Sequence, residues 1–308
     1  MELVVFRAHP VPLDGLAALP EELDGSRGDN RLSQDHCQIQ ADNDWQAIQC
    51  WLAEFEDSPQ THRNYRKEAE RLLLWSIKER RRPISSLLRE DFQAYQVFLA
   101  NPPPEADWCG PRSPRHSAAW KPFQGPLRES SQRQSLIVVN ALLSYWVDAG
   151  YIRGNPLSLI RRRNKKLTPS THDVIAQERF LDQKTWEHLK GYIVALPQGT
   201  RREIEQYERV RFLFHFLFLL APRVSEVASH SMNSFREFRG KWWWFVEGKG
   251  GKRAKVPVND EMLDALMRYR RFLDLDDLPK EDDRSPIFRS IKGTSGVSDN
   301  MIHRLVKE

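Results

Sequence analysis

Between Phe212 and Val258 the sequence changes its period twice, and few chain paths satisfy both changes. Phe212 to Leu220 is apolar at every position except His215, the pattern of a helix buried on all sides rather than along one stripe. Pro222 forbids simple continuation and suits the first turn of a new helix. Arg223 is thereby placed near a helix N-terminus, where backbone N–H groups favour an anion. Glu226, three residues on, can orient the guanidinium while Val224 and Val227 turn inward. Trp242 to Val246 and Arg253 to Val258 then read as two β-strands, joined by the tip Gly248-Lys249-Gly250-Gly251-Lys252-Arg253. The glycines permit another molecule's backbone to come close to Lys249.

Taken singly, neither box decides a function. An arginine at a helix start is more often half of a surface ion pair, and glycine-lysine tips are usually solvated turns. A Walker-type phosphate loop is disfavoured because no Ser or Thr follows Lys252 and a strand, not a helix, comes next. The order and spacing carry more: Arg-Val-Ser-Glu-Val after an apolar helix, then about two dozen residues later Val-Glu-Gly-Lys-Gly-Gly-Lys-Arg-Ala-Lys-Val-Pro-Val. In these motifs the chain resembles the tyrosine recombinase (phage integrase) family, over roughly residues 43 to 308. The family usually has Gly-Leu or Gly-Pro before its first catalytic arginine; here the pair is Ala221-Pro222.

The resemblance implies a mainly α fold with a small antiparallel sheet, in which a helical, SAM-like core-binding domain precedes the catalytic domain. It makes Arg223 the first catalytic arginine, Glu226 its supporting acid and Lys249 the hairpin lysine, with Lys252 and Arg253 beside it on DNA. The implied reaction is breakage and rejoining of double-stranded DNA through a 3′-phosphotyrosine, by a homo-oligomer on paired sites, with no metal or nucleotide cofactor. Such proteins continue with a His-x-x-Arg box, a later His or Trp, and the nucleophilic Tyr. None of the nine histidines here has Arg three positions on. We therefore expect a partial catalytic domain that ends ahead of the nucleophile, with Tyr269 structural. The alternative is a DNA-binding protein of recombinase ancestry that does not cleave.

Charge agrees with a polyanionic partner. The formal net charge is +5, and since residues 1 to 42 hold eight acids and three bases, residues 43 to 308 carry +10. No transmembrane run or signal peptide is legible, which points to the cytoplasm. Cys37, Cys50 and Cys109 lack the number and spacing of a disulfide framework or a zinc site.

The boundaries follow from periodicity. Residues 1 to 42, after the apolar Leu3 to Phe6, read as a flexible arm. Residues 43 to 160 read as the helical domain, with helices from Asp44, from Thr61, over Asp91 to Leu99 and over Ser131 to Ala149, and with a Pro-rich insertion at 101 to 129. The basic run Lys78 to Arg82 suits a helix C-terminus or a solvated turn. Asn155-Pro156 resembles the pair that closes the core-binding domain. Residues 161 to 177 read as a basic linker, in which Arg161, Arg162, Arg163, Lys165 and Lys166 either track phosphates or are merely solvated. Residues 178 to 308 form the second domain, with helix starts at Asp182 and Asn259.

Overall fold

A computed structural model describes residues 10–15, 19–164, 181–248, 250–290 and 293–307, with the side chains of residues 15, 34 and 161–164 outside that description. It is mainly helical with one small antiparallel sheet, and it divides into two compact units, Met1–Pro169 and Ser170–Glu308.

In the first unit, α1 (Asp44–Ala53) starts where Asn43 Oδ1 accepts the Gln46 N–H at 2.9 Å. Pro59 opens α2 (Pro59–Trp75) at the one position where a helix loses nothing to proline. A π-helical turn, Ser76–Arg80, closes α2, with Arg81 in the left-handed region at φ 54°. Then come α3 (Arg89–Ala100), α4 (Glu129–Asp148) and α5 (Leu157–Asn164). Ile48, Leu72, Leu73, Phe92, Tyr95, Val139 and Trp146 are sealed from solvent in their shared core. Within the basic run, Arg80 is exposed yet paired: its Nε donates to the buried Asp91 carboxylate at 2.7 Å.

Two sequence expectations change here, and one is borne out. Residues 20–42 are no free arm. Leu23 and Ala41 are buried, and the Asn30, Leu32 and Gln38 N–H groups donate to the carbonyls of Ser85, Tyr151 and Ala149. Their order comes from long-range backbone bonds, which leave no periodic trace. The apolar Leu3 to Phe6 run lies outside the described residues. The insertion packs as its aromatic residues lead one to expect: Trp108 and Phe123 are buried, Trp108 Nε1 donates to Glu79 at 3.0 Å, and the Leu127 N–H donates to the Leu99 carbonyl at 3.0 Å. Finally, Asn155-Pro156 does not end the unit but starts α5. Asn155 Oδ1 accepts the Leu157 N–H at 3.0 Å, and Leu157 and Ile160 join the core. Arg161, Arg162 and Arg163 therefore lie on a helix, whereas Lys165 and Lys166 fall outside the described residues.

Asp44 sits at the centre of this unit, fully buried, accepting the Ser85 N–H at 2.9 Å and the Tyr151 hydroxyl at 3.0 Å. Burial pushes its carboxyl up to about 6, against the opposing pull of those donors. Because the folded value exceeds the unfolded 3.8, the proton taken up stabilises the fold fully below pH 3.8, and that stabilisation is lost as pH rises through 6. Melting curves of the protein and of Asp44→Asn between pH 4.5 and 7.5 should diverge in favour of the unaltered protein as pH falls, by at most about 3 kcal/mol. A pH-independent difference would contradict this.

The second unit starts with α6 (Gln183–Val194), capped by Asp182 Oδ1 on the Thr185 N–H at 2.7 Å. The long α7 (Arg201–Leu220) is opened by a reciprocal cap between Thr200 and Glu203. After α8 (Val224–Ser229), β1 (Phe235–Phe238), β2 (Lys241–Glu247) and β3 (Arg253–Pro257) pair antiparallel in that order. Alternation decides which side is wet: Trp244 and Val246 face inward, with the Trp244 ring 5.0 Å from Phe216 of α7, while Trp243 and Phe245 remain partly exposed. The return helix α9 (Asp260–Phe272) is capped by Asn259 and stacks Tyr269 on Phe212 at 4.5 Å. The last described helix is α10 (Asp299–Lys307), whose Ile302 and Leu305 are buried in the same core.

Candidate active site

The apolar helix α7 cannot continue past Ala221, which takes the left-handed φ of 47°, and Pro222 follows. Arg223 then becomes the cap residue of α8, with its side chain 72% exposed, while Glu226 one turn on is 8% exposed. The Glu226 carboxylate accepts twice from the same residue: from the Arg223 N–H at 2.8 Å and from its Nη1 at 2.7 Å. Burial by itself would raise the Glu226 carboxyl, but these two donors outweigh it and hold the group below the usual range. The guanidinium is therefore tethered at one nitrogen by a carboxylate whose ionised form these bonds favour, and the rest of the side chain is open to solvent. That is the arrangement of a cation aimed at an external anion.

The hairpin meets this pair. A Cβ built on Gly248 would lie 2.9 Å from Glu226 Oε1 and 3.2 Å from Arg223 Nη1, so the last residue before Lys249 is packed against both members. The Gly248 N–H donates to the Lys252 carbonyl at 2.8 Å, which closes the tip, and Gly250 and Gly251 take φ values of 76° and 70° that suit glycine. Two boxes about two dozen residues apart in sequence thus converge at one place. Lys249 itself lies outside the described residues. Lys252 is exposed, and Arg253 pairs with Glu247 at 3.2 Å on the outer face.

A histidine that the sequence did not single out holds the two halves together. His230, just past α8, has Nδ1 2.8 Å from the Glu226 carbonyl, while its Nε2 accepts the Glu247 N–H at 3.0 Å. Its ring also lies 5.7 Å from Trp244, edge to face. The only clue in the sequence was a polar residue at the end of a short helix. His230→Phe keeps the ring and deletes both bonds, so exchange of the Glu247 amide hydrogen should speed up about tenfold. Unchanged protection there would show that the hairpin is seated without His230.

Comparison with known proteins comes down to solved structures, since the chain matches no family model and no curated protein. A XerH site-specific recombinase bound to its difH substrate in a pre-cleavage complex is similar, with TM-score 0.54 and 14% identity over 90% of this chain and 73% of that one. The fold is that of a site-specific recombinase. An integrase from mycobacterium phage Brujita aligns at 12% identity over 86% of this chain and 72% of that one, with a TM-score of 0.26 that supports no argument. Within the recombinase fold, Arg223, Glu226 and the base of the hairpin converge in the second unit, whereas Arg161, Arg162 and Arg163 belong to the first. No helix among the described residues is long and apolar enough to cross a membrane.

Proposed function

We propose that this protein is a site-specific DNA recombinase or integrase of the tyrosine type, acting on double-stranded DNA as a homo-oligomer on paired sites in the cytoplasm. The observation that carries this reading is the packing of Gly248 against the Arg223–Glu226 pair, because it brings the base of the glycine-rich tip to a tethered guanidinium. In the reaction, a tyrosine oxygen attacks phosphorus, the bond to the 5′-oxygen breaks, and a 3′-phosphotyrosine and a 5′-hydroxyl result. Arg223 takes the charge growing on the non-bridging oxygens, and Lys249 gives its proton to the departing 5′-oxygen. Lys252, Arg253 and the Arg161 to Lys166 run grip the backbone around the site.

Two tyrosines of the second unit are unsuited to be the nucleophile. Tyr207 and Tyr269 are buried, and burial pushes the Tyr269 phenol further above its ordinary value, the opposite of activation. The lack of any His-x-x-Arg box in the sequence favours a second reading, a DNA-binding protein of this ancestry that does not cleave. One substrate separates the two. In the complete gene product, Lys249→Ala should slow cleavage about a hundredfold on ordinary DNA. Most of that rate should return when the 5′-oxygen is replaced by sulfur, which departs without a proton. Equal slowing on both substrates removes Lys249 from the general-acid role, and no cleavage by the unaltered protein favours the second reading.

A further inference from the structure

The insertion between α3 and α4 has no part in the site above, yet it builds the wall of an open cleft of about 690 Å³ against α2. Two carboxylates lie in that cleft, and both are already used. Glu68 is held by Arg71 at 3.0 Å and by the Ser135 hydroxyl at 2.7 Å, and Glu70 is held by Arg115 at 2.6 Å and the Leu13 N–H at 2.9 Å. Each of these carboxylate side chains is at most 5% exposed. Arg71 and Arg115 are spent in the same bonds, Lys67 pairs with Glu68 at 3.0 Å, and Arg71 also anchors the insertion through the Pro122 carbonyl at 3.0 Å.

What remains on the lining is a set of cations with no counter-charge. Arg112, Lys121 and Arg128 have no ion-pair partner or side-chain hydrogen bond among the described residues. The stem of Lys121 is laid over Gly110, where an added Cβ would come within 2.9 Å of its Cγ, so that lysine is directed rather than free. Three like charges around one concavity repel each other, and a low-dielectric wall concentrates their field. The cleft is open, and a small anion would touch one or two of these groups and leave the rest. An extended chain of phosphates satisfies them together.

We propose that the 101–128 insertion is an accessory clamp for the DNA phosphate backbone, with Arg112, Lys121 and Arg128 as its contacts. The inference rests on the DNA reading given above and adds to it a site on the first unit that positions duplex without reading sequence.

The test uses the full 308-residue chain and a fluorescent 30-base-pair duplex of arbitrary sequence, titrated across a range of salt concentrations. Substituting Arg112, Lys121 and Arg128 together by Gln should make the slope of log affinity against log salt shallower by about 2.7, at roughly 0.9 per lost phosphate contact. Affinity at 0.1 M salt should fall at least about tenfold on every duplex alike. Arg112→Glu alone, at an exposed position without a partner, should reproduce part of the loss in a protein whose fold is undisturbed. Duplex binding with an unchanged slope in both variants overturns the clamp and leaves the recombinase reading standing. A loss seen only in competition with polyglutamate also overturns it, in favour of an acidic polypeptide. If the unaltered chain binds no duplex, the DNA reading itself falls and takes the clamp with it.

Discussion

Arg223→Lys should lower DNA strand cleavage by the complete gene product about 10²–10³-fold while changing duplex affinity by no more than a few-fold. Lysine keeps the charge, but it loses the planar fork that lets one nitrogen hold Glu226 while the others face the phosphate. Donors placed where charge develops in a transition state contribute roughly 3 to 4 kcal/mol, which sets the size of the loss. Ground-state binding depends on many backbone contacts and hardly registers one of them. Single-turnover cleavage of a nicked site beside an anisotropy titration separates the two effects. Cleavage within threefold of normal would take Arg223 out of the chemistry.

Gly150→Ala should cost the first unit about 3 to 5 kcal/mol, a large share of the stability of an ordinary domain. The residue ends α4 with φ at 69°, where a side chain is strained by roughly 1 to 2 kcal/mol. Sterics add more. A Cβ there would sit 2.1 Å from the His36 carbonyl oxygen, which is backbone and cannot rotate away. The segment through His36 and Cys37 must lift off, breaking the bond from the Gln38 N–H to the Ala149 carbonyl. Urea unfolding followed by circular dichroism measures this directly. A loss below about 1 kcal/mol would mean that residues 36–38 are not seated against the end of α4.

The contrast between these two positions shows what a sequence discloses. Arg223 and Glu226 were legible because their relation is local, three residues along one helix, and the caps at Asp182 and Asn259 were legible for the same reason. The contact between Gly150 and His36 joins segments far apart in sequence and follows no period, so nothing in residues 20–42 announced that they pack. Some signals were present but faint. Thr200 and Glu203 have the spacing of a reciprocal cap, yet the charged first half of α7 hid a helix that begins well before Phe212. Strand β1 is four residues long, with Arg236 and Glu237 side by side between two phenylalanines and so no alternation to read; only Arg239-Gly240, both at positive φ as a tight hairpin requires, marked its turn. His230 escaped because its partner Glu247 lies 17 residues away in sequence.

The way Gly248 and His230 fasten the hairpin also ties completion of the site to completion of the fold. Neither half of the site is complete on its own: α8 supplies a tethered guanidinium, and the tip that accompanies it is delivered only once β2 has found its register on both neighbours. A chain caught half-folded, or one whose sheet has slipped by a residue, has Arg223 without its companion. If the chain cleaves DNA as proposed, its site cannot act until folding is finished, and the sheet serves as a safety catch.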